Sequence, residues 1–181
     1  MLRVGIIGCG KIAELRHAPE YLENPHCELV GFYDYAPDRA KALAEKFGAK
    51  AFDTVDELIS QVDAVSVCSA NIAHAEATIR ALDAGRHVLC EKPLSLRYED
   101  AKELSALAEA KGVVAAVDRF YPTCTQVRGL VAEMGDPVLI HGHYQQEFNI
   151  LPCPYSWRYR EATRATSEIG SHFIDLMRYL T

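Results

Sequence analysis

Three groups of residues have the types and spacing that chemistry requires. Gly8-Cys9-Gly10-Lys11-Ile12-Ala13 follows an apolar run and opens a helical pattern. This is the G-x-G-x-x-A spacing of a turn that cradles a diphosphate. Gly8 would permit the tight turn, Gly10 would let a phosphate approach bare backbone, and Ala13 would keep the next helix close to its neighbours. The free N–H groups of the helix start, around Lys11 and Ile12, carry a partial positive charge suited to phosphates. A purely structural turn is the default reading of the bare string; the flanking strand and helix patterns favour a dinucleotide. Asp34 lies some 20 to 25 residues beyond, where an acidic group hydrogen-bonds the adenosine ribose diol of NAD. A carboxylate there would repel the extra phosphate of NADP, although Arg39 nearby could still answer one. NAD is therefore the expected cofactor and NADP the weaker candidate, with a solvated turn Asp before Pro37 as the plain alternative.

The second group is Glu91-Lys92-Pro93, directly after the apolar run His87–Cys90. A surface Lys is usually a solvated charge. Lys92, however, is pinned between a strand end and a proline beside the expected cofactor, which makes it a candidate acid/base. The third group is Glu168-Ile169-Gly170-Ser171-His172-Phe173-Ile174-Asp175. A helix starting near Ile169 would place Glu168 and His172 one turn apart on one face. His172 could then exchange a substrate proton with Glu168 setting its charge. A capped helix start with a satisfied His is an equal alternative. His141 and His143 would share a strand face but lack a third ligand, so no metal site is expected. His74 lies at the correct edge for the pocket or serves only as a cap; His17, His26 and His87 have no constellation around them.

These groups need a scaffold, and the rest of the chain supplies its pattern. Apolar runs of strand length at Leu2–Ile7, Glu28–Tyr33, Ala64–Cys68, His87–Cys90 and Val113–Val117 alternate with helical patterns near Ile12–Leu22, Pro37–Phe47, Ile72–Ala84 and Tyr98–Ala110. The alternation predicts an α/β fold, a Rossmann parallel sheet with helices on both faces, over residues 1–120. Nearly continuous apolar strands require burial on both faces. Gly48, Gly85 and Gly112 each stand where a left-handed helix cap is wanted. Residues 121–181 change texture: a helix at Thr123–Glu133, a long strand at Val138–Phe148, a loop rich in Pro and aromatics, and a helix from about Ile169 to Leu180. This reads as the start of an α/β substrate domain. One strand and one helix cannot bury a sheet face alone, so partners from another chain or a longer protein are expected.

Composition narrows the partners. The 181 residues are 49% hydrophobic and 24% charged, the balance of an ordinary globular protein. Nineteen basic against twenty-five acidic side chains give a net charge of −6, which argues against nucleic acid. No apolar run approaches membrane-spanning length and no leader precedes the first strand, so a cytoplasmic protein with no membrane partner is expected. The six cysteines never pair as C-x-x-C, which fits reduced thiols better than disulfides or zinc.

Taken together, Gly8-x-Gly10-x-x-Ala13, the stretch Ala84-Gly85-Arg86-His87-Val88-Leu89-Cys90-Glu91-Lys92-Pro93 and Gly170-Ser171-His172-x-x-Asp175 resemble the Gfo/Idh/MocA oxidoreductases. The resemblance implies a dinucleotide-binding domain followed by a substrate domain on a large, mostly antiparallel sheet. By position it implies that Lys92 contacts the reacting hydroxyl, with Glu168 and His172 completing the site. It implies that Ser69, Asn71 and His74 flank the nicotinamide side, that Glu91 belongs to the cofactor site, and that Trp157 and Arg158 form a substrate-loop pair. Two departures stand out: Glu168 replaces an aspartate, and Arg164 lies where a glycine-rich run is common, in substrate space. The second domain is also shorter than the family requires. The function so implied is hydride transfer between a nicotinamide cofactor and a secondary alcohol of a sugar, cyclitol or similar polyol, with a homo-oligomer forming through the C-terminal sheet. A non-catalytic NAD(P)-binding module is the alternative.

Overall fold

In the computed structural model, six parallel strands stand side by side: β1 (Leu2–Ile7), β2 (Cys27–Tyr33), β3 (Lys50–Ala51), β4 (Ala64–Val67), β5 (His87–Cys90) and β6 (Ala115–Val117). Their order across the sheet is β3-β2-β1-β4-β5-β6, the doubly wound Rossmann order that the alternation of strand and helix patterns predicts. Residues 1–117, 124–135, 139, 141 and 170–180 are described structurally. The chain divides into two compact units, Met1–Asp118 and Arg119–Thr181.

Helices cover both faces of the sheet in the first unit. On one face Ile6 and Phe32 pack with Ala13, Ala18, Ala40, Leu43 and Ala44, which come from the helical segments after β1 and β2. Among these are α1 (Ala18–Glu23) and α2 (Pro37–Phe47). On the other face Ile7, Val65, Val67 and Val88 meet α3 (Val55–Gln61), α4 (His74–Asp83) and α5 (Tyr98–Lys111) through Leu58, Ala81, Leu82 and Leu104. Each fully buried aliphatic or aromatic side chain contributes about 1.5–3 kcal/mol of burial. Burial on both faces accounts for the unbroken apolar character of β4, in which all four residues are buried. Gly48 and Gly112 close α2 and α5 in the left-handed conformation, and Gly85 follows α4 with φ +69°.

Some expectations are corrected. The helical run expected near Ile12–Leu22 is present but is not α-helical throughout: Ala13–His17 is a π-helical turn, closed by Ala18 N–H on Ala13 O, and α1 follows. Pro19 supplies a reason, because it has no N–H to give and its ring crowds the carbonyl one turn back. The helix expected at Ile72–Ala84 opens instead with a 3-10 turn over Asn71–Ala73. Two elements were not anticipated. β3 is only two residues long and carries no apolar run. α3 did announce itself: Thr54 caps it by accepting from Glu57 N–H at 3.2 Å, the Thr-x-x-Glu start signal.

In the second unit, α6 (Cys124–Met134) and α7 (Ser171–Leu180) lie within a residue or two of the expected helices. Tyr179 of α7 meets α6 twice, through its hydroxyl to Thr125 Oγ1 at 3.2 Å and beneath the Arg128 guanidinium, 4.8 Å from the ring centre. Leu139 and His141, the described residues of the expected strand Val138–Phe148, are in no strand. No helix among the described residues is long and apolar enough to cross a membrane.

Candidate active site

Sheet register brings the chemistry to one edge. Ile7 pairs with Tyr33 on one side and Val67 on the other, and Val67 pairs with Cys90. The residues that leave these strands, Gly8, Asp34, Cys68-Ser69 and Glu91-Lys92, therefore emerge at one level. Connections run in opposite directions from β1 and β4, and the carboxyl end of that reversal is where doubly wound sheets open a crevice for ligand.

The glycine turn forms the floor. Gly8 has φ +97°, and a Cβ there would lie 2.4 Å from Ser69 N and 2.5 Å from Ser69 Cα. No side chain can occupy that position without moving β4's exit. Gly8 N–H donates to Tyr33 O at 2.8 Å. Asp34 is buried, 7% exposed, and its two oxygens accept separately from Cys9 N–H at 2.7 Å and Ala36 N–H at 2.9 Å. It is thus a lock between the turn and the end of β2, which the reading as a solvated turn residue did not anticipate. Arg39 is exposed on the first turn of α2.

Gly10 is the opposite of Gly8. A Cβ there would meet nothing within 4 Å, and Gly10, Lys11 and Ile12 are exposed. Bare backbone at a helix start is what a diphosphate needs. Beside Gly8, the Ser69 hydroxyl oxygen is buried without a hydrogen-bond partner. A buried unmatched hydroxyl costs about 1–3 kcal/mol until a partner satisfies it. An open backbone cradle with an unmatched polar atom at its wall fits a dinucleotide.

The exit of β5 forms the second wall. Lys92 is half-buried, and the Lys92–Pro93 peptide is cis. Glu91 turns its carboxylate inward: Oε1 lies 3.0 Å from His17 Nε2, and Oε2 accepts from Lys92 N–H at 3.2 Å. Burial pushes the Glu91 carboxyl up, but the His17 hydrogen bond and the neighbouring charges of His17 and Lys92 outweigh it and hold the carboxyl below its usual range. His17 is 4% exposed and comes from the π-helical turn. The expectation that it stands outside any constellation is overturned. Its signal was present in the sequence, since it lies four residues beyond Ala13 on the same inward face.

His74, 1% exposed, sits between two loops. Its Nδ1 is 2.7 Å from Pro93 O and its Nε2 2.9 Å from Ser69 O. Its ring atoms thus face backbone carbonyls. Asn71 is buried in the 3-10 turn just before it. Two cysteines border the site as inert thiols. Burial first, then the Asp34 charge, pushes the Cys9 thiol up to about 12. Burial above all, with the Glu91 charge adding to it, pushes the Cys90 thiol up to about 12.

His172 lies in α7 of the second unit and is half-buried. Glu168, Trp157, Arg158 and Arg164 lie outside the described residues. Among the described residues no group of three His, Cys, Asp or Glu side chains stands close enough to hold a metal ion.

Known proteins resemble this chain in sequence and fold. Over 99% of its length the chain is 33% identical to glucose-6-phosphate 3-dehydrogenase of Bacillus subtilis (strain 168), covering 54% of that protein. It is 44% identical over 65% of its length to D-glucoside 3-dehydrogenase of Escherichia coli (strain K12), covering 34% of it. Among solved structures, a 3-ketoreductase from Actinomadura kijaniata in complex with NADP matches 73% of this chain, and 44% of its own, with TM-score 0.68 and 36% identity. The chain thus spans from about a third to about half the length of these relatives. Residues 2–119 match the Gfo/Idh/MocA model, described as an oxidoreductase family with an NAD-binding Rossmann fold. The chain belongs to the Gfo/Idh/MocA oxidoreductase family.

Proposed function

We propose that this chain holds NAD(P) for dehydrogenation or reduction of a sugar or related polyol at a secondary alcohol. The observation that carries this reading is the convergence of the open Gly10 cradle and the braced Lys92 turn at one sheet edge. Several of the relatives are named for reaction at position 3 of a sugar, which favours the 3-hydroxyl or 3-keto group of a hexose unit as the reacting centre. When bound, the nicotinamide ring supplies the hydride exchange. Around it the chain's own residues position and protect. Gly8 through Ala13 would hold the diphosphate, Ser69 and Asn71 would line the crevice beside β4, and the Lys92 amine would accept the carbinol proton in dehydrogenation, its ammonium returning that proton to the oxygen in reduction. Orienting these groups before reaction supplies much of the rate. By family position, His172 and Glu168 are assigned a second proton-handling role, and Trp157, Arg158 and Arg164 recognition of the sugar.

Asp34 favours NAD over NADP, because a carboxylate at the end of β2 is suited to accept from a ribose diol and would repel a 2′-phosphate. Exposed Arg39 and the NADP-bound relative favour the other form. Parallel fluorescence titrations with NADH and NADPH decide this: tighter NADPH binding would reverse the preference. The central test is Lys92→Met in the intact protein, assayed against a panel including glucose 6-phosphate and simple D-glucosides. Turnover should vanish while the NADH dissociation constant stays within about threefold, because removing a group that acts in the transition state lowers kcat without removing uniform binding. Unimpaired turnover would remove Lys92 from the reaction.

A further inference from the structure

We propose that two buried histidines, His17 and His74, are positioning residues that brace the Glu91-Lys92-Pro93 turn from opposite sides. His17 grips the residue before the lysine, with its Nε2 3.0 Å from Glu91 Oε1. His74 grips the residue after it, with its Nδ1 2.7 Å from Pro93 O. Both rings are at least 96% buried, so neither bond competes with bulk water. The two histidines come from different elements. His17 ends the π-helical turn that begins at Ala13 of the glycine motif, and His74 opens α4 while also reaching Ser69 O at 2.9 Å. Each floor of the crevice is thereby tied to the lysine turn. The diphosphate cradle connects through His17 and Glu91, and the β4 exit beside Gly8 connects through His74 and Pro93.

Glu91 transmits the first grip, since its other oxygen accepts from Lys92 N–H at 3.2 Å. Its carboxyl is held in the charged form, which strengthens a hydrogen bond from either partner. The π-helical turn ends at His17, whose ring faces inward to Glu91. Neither histidine touches the proposed reacting atoms. Their effect on chemistry passes through the placement of Lys92, so this inference rests on the proposed role of that lysine.

The test separates the brace from the role of the lysine. In the intact protein, His17→Leu and His74→Leu remove each grip. His17→Gln and His74→Asn return an amide nitrogen near the lost ring nitrogen. The first readout needs no turnover: labelling of the Lys92 amine by an amine-reactive ester at fixed pH, followed by peptide mass spectrometry. Labelling should rise severalfold in the leucine variants and return toward the parent in the amide variants. The second readout is kinetic. The leucine variants should lower kcat by about 10- to 100-fold, the scale of a misplaced catalytic group, with KM and NADH affinity changing much less. Lys92 labelling unchanged in folded leucine variants overturns the brace, even if Lys92→Met abolishes turnover. Raised labelling with normal turnover of Lys92→Met upholds the brace and overturns the role of the lysine. Should a leucine variant fail to fold, its amide counterpart carries the comparison: equal labelling and equal kcat to the parent support the brace, and labelling as high as in unfolded protein overturns it.

Discussion

Cys9 N–H donates to Asp34 Oδ2 at 2.7 Å across 25 residues of chain, so the glycine turn and the end of β2 are one rigid unit. The second oxygen accepts from Ala36 N–H, so both are engaged by backbone donors. Asp34→Asn keeps the shape but points an NH2 group at one of the two N–H donors. That leaves a buried donor unmatched, at a cost of about 1–3 kcal/mol. Urea denaturation should show the loss, and NADH titration should show weaker binding because the turn is no longer held. An Asn variant as stable as the parent would mean that these hydrogen bonds do not hold the turn.

Two glycines two residues apart should respond differently to the same added methyl group. In Gly8→Ala the new Cβ meets Ser69 backbone at 2.4 Å in a conformation with φ +97°, so folding itself suffers. In Gly10→Ala the Cβ enters open space, and stability should stay within about 1 kcal/mol of the parent. In the proposed site the diphosphate would occupy that open space, so dinucleotide binding should weaken by about 1.4 kcal/mol or more, tenfold in Kd. Thermal melts paired with NADH fluorescence titrations separate the two effects. Gly10→Ala binding as tightly as the parent would move the diphosphate elsewhere.

Much of this was legible from the sequence because it rests on local pattern. The strand-turn-helix context of Gly8 to Ala13 and the position of Lys92 after β5 come from periodicity and spacing, and the register of the sheet then brings them to one edge. What escaped was set by contacts distant in sequence. His17 and Glu91 are 74 residues apart, and only the pairing of β1 with β4 and β4 with β5 brings them within 3.0 Å. His74 announced its edge of the sheet but not its two carbonyl partners, which depend on the paths of the loops at Ser69 and Pro93. β3 escaped for a different reason: a two-residue strand has too few side chains to display a period.

Thiol chemistry should divide the cysteines by environment. Cys9, Cys68 and Cys90 are buried, and Cys27 and Cys124 are partly exposed. The Cys9 and Cys90 thiols are pushed up to about 12, chiefly by burial, so essentially none of either is thiolate at neutral or mildly basic pH. The thiolate is the reactive form. Iodoacetamide at about pH 8, near the ordinary thiol pKa, should therefore alkylate Cys27 and Cys124 in folded protein and spare Cys9, Cys68 and Cys90 until denaturant is added. Peptide mass spectrometry reads the pattern directly, and rapid labelling of Cys90 in native conditions would contradict the buried β5 environment.

Acid sensitivity at the opposite edge of the sheet should trace to Asp63. Its carboxylate accepts from Arg3 N–H at 3.0 Å and from the Arg3 guanidinium at 2.8 and 3.2 Å. The hydrogen bonds from Arg3 hold its pKa down from 3.8 to about 2. A carboxyl whose folded pKa is depressed stabilises the fold fully above its unfolded value. That contribution fades as pH falls from 3.8 toward about 2, where the folded form also takes up a proton. The pair is exposed, so its effect is small and screened by salt. Denaturation midpoints measured across this range at low and high salt should slope downward with acid in the parent. Asp63→Asn should flatten the slope, and high salt should shrink the difference between the two proteins. An unchanged slope in the Asn variant would assign the acid sensitivity to other carboxylates, and Glu91, whose carboxyl is also held low, is the next to substitute.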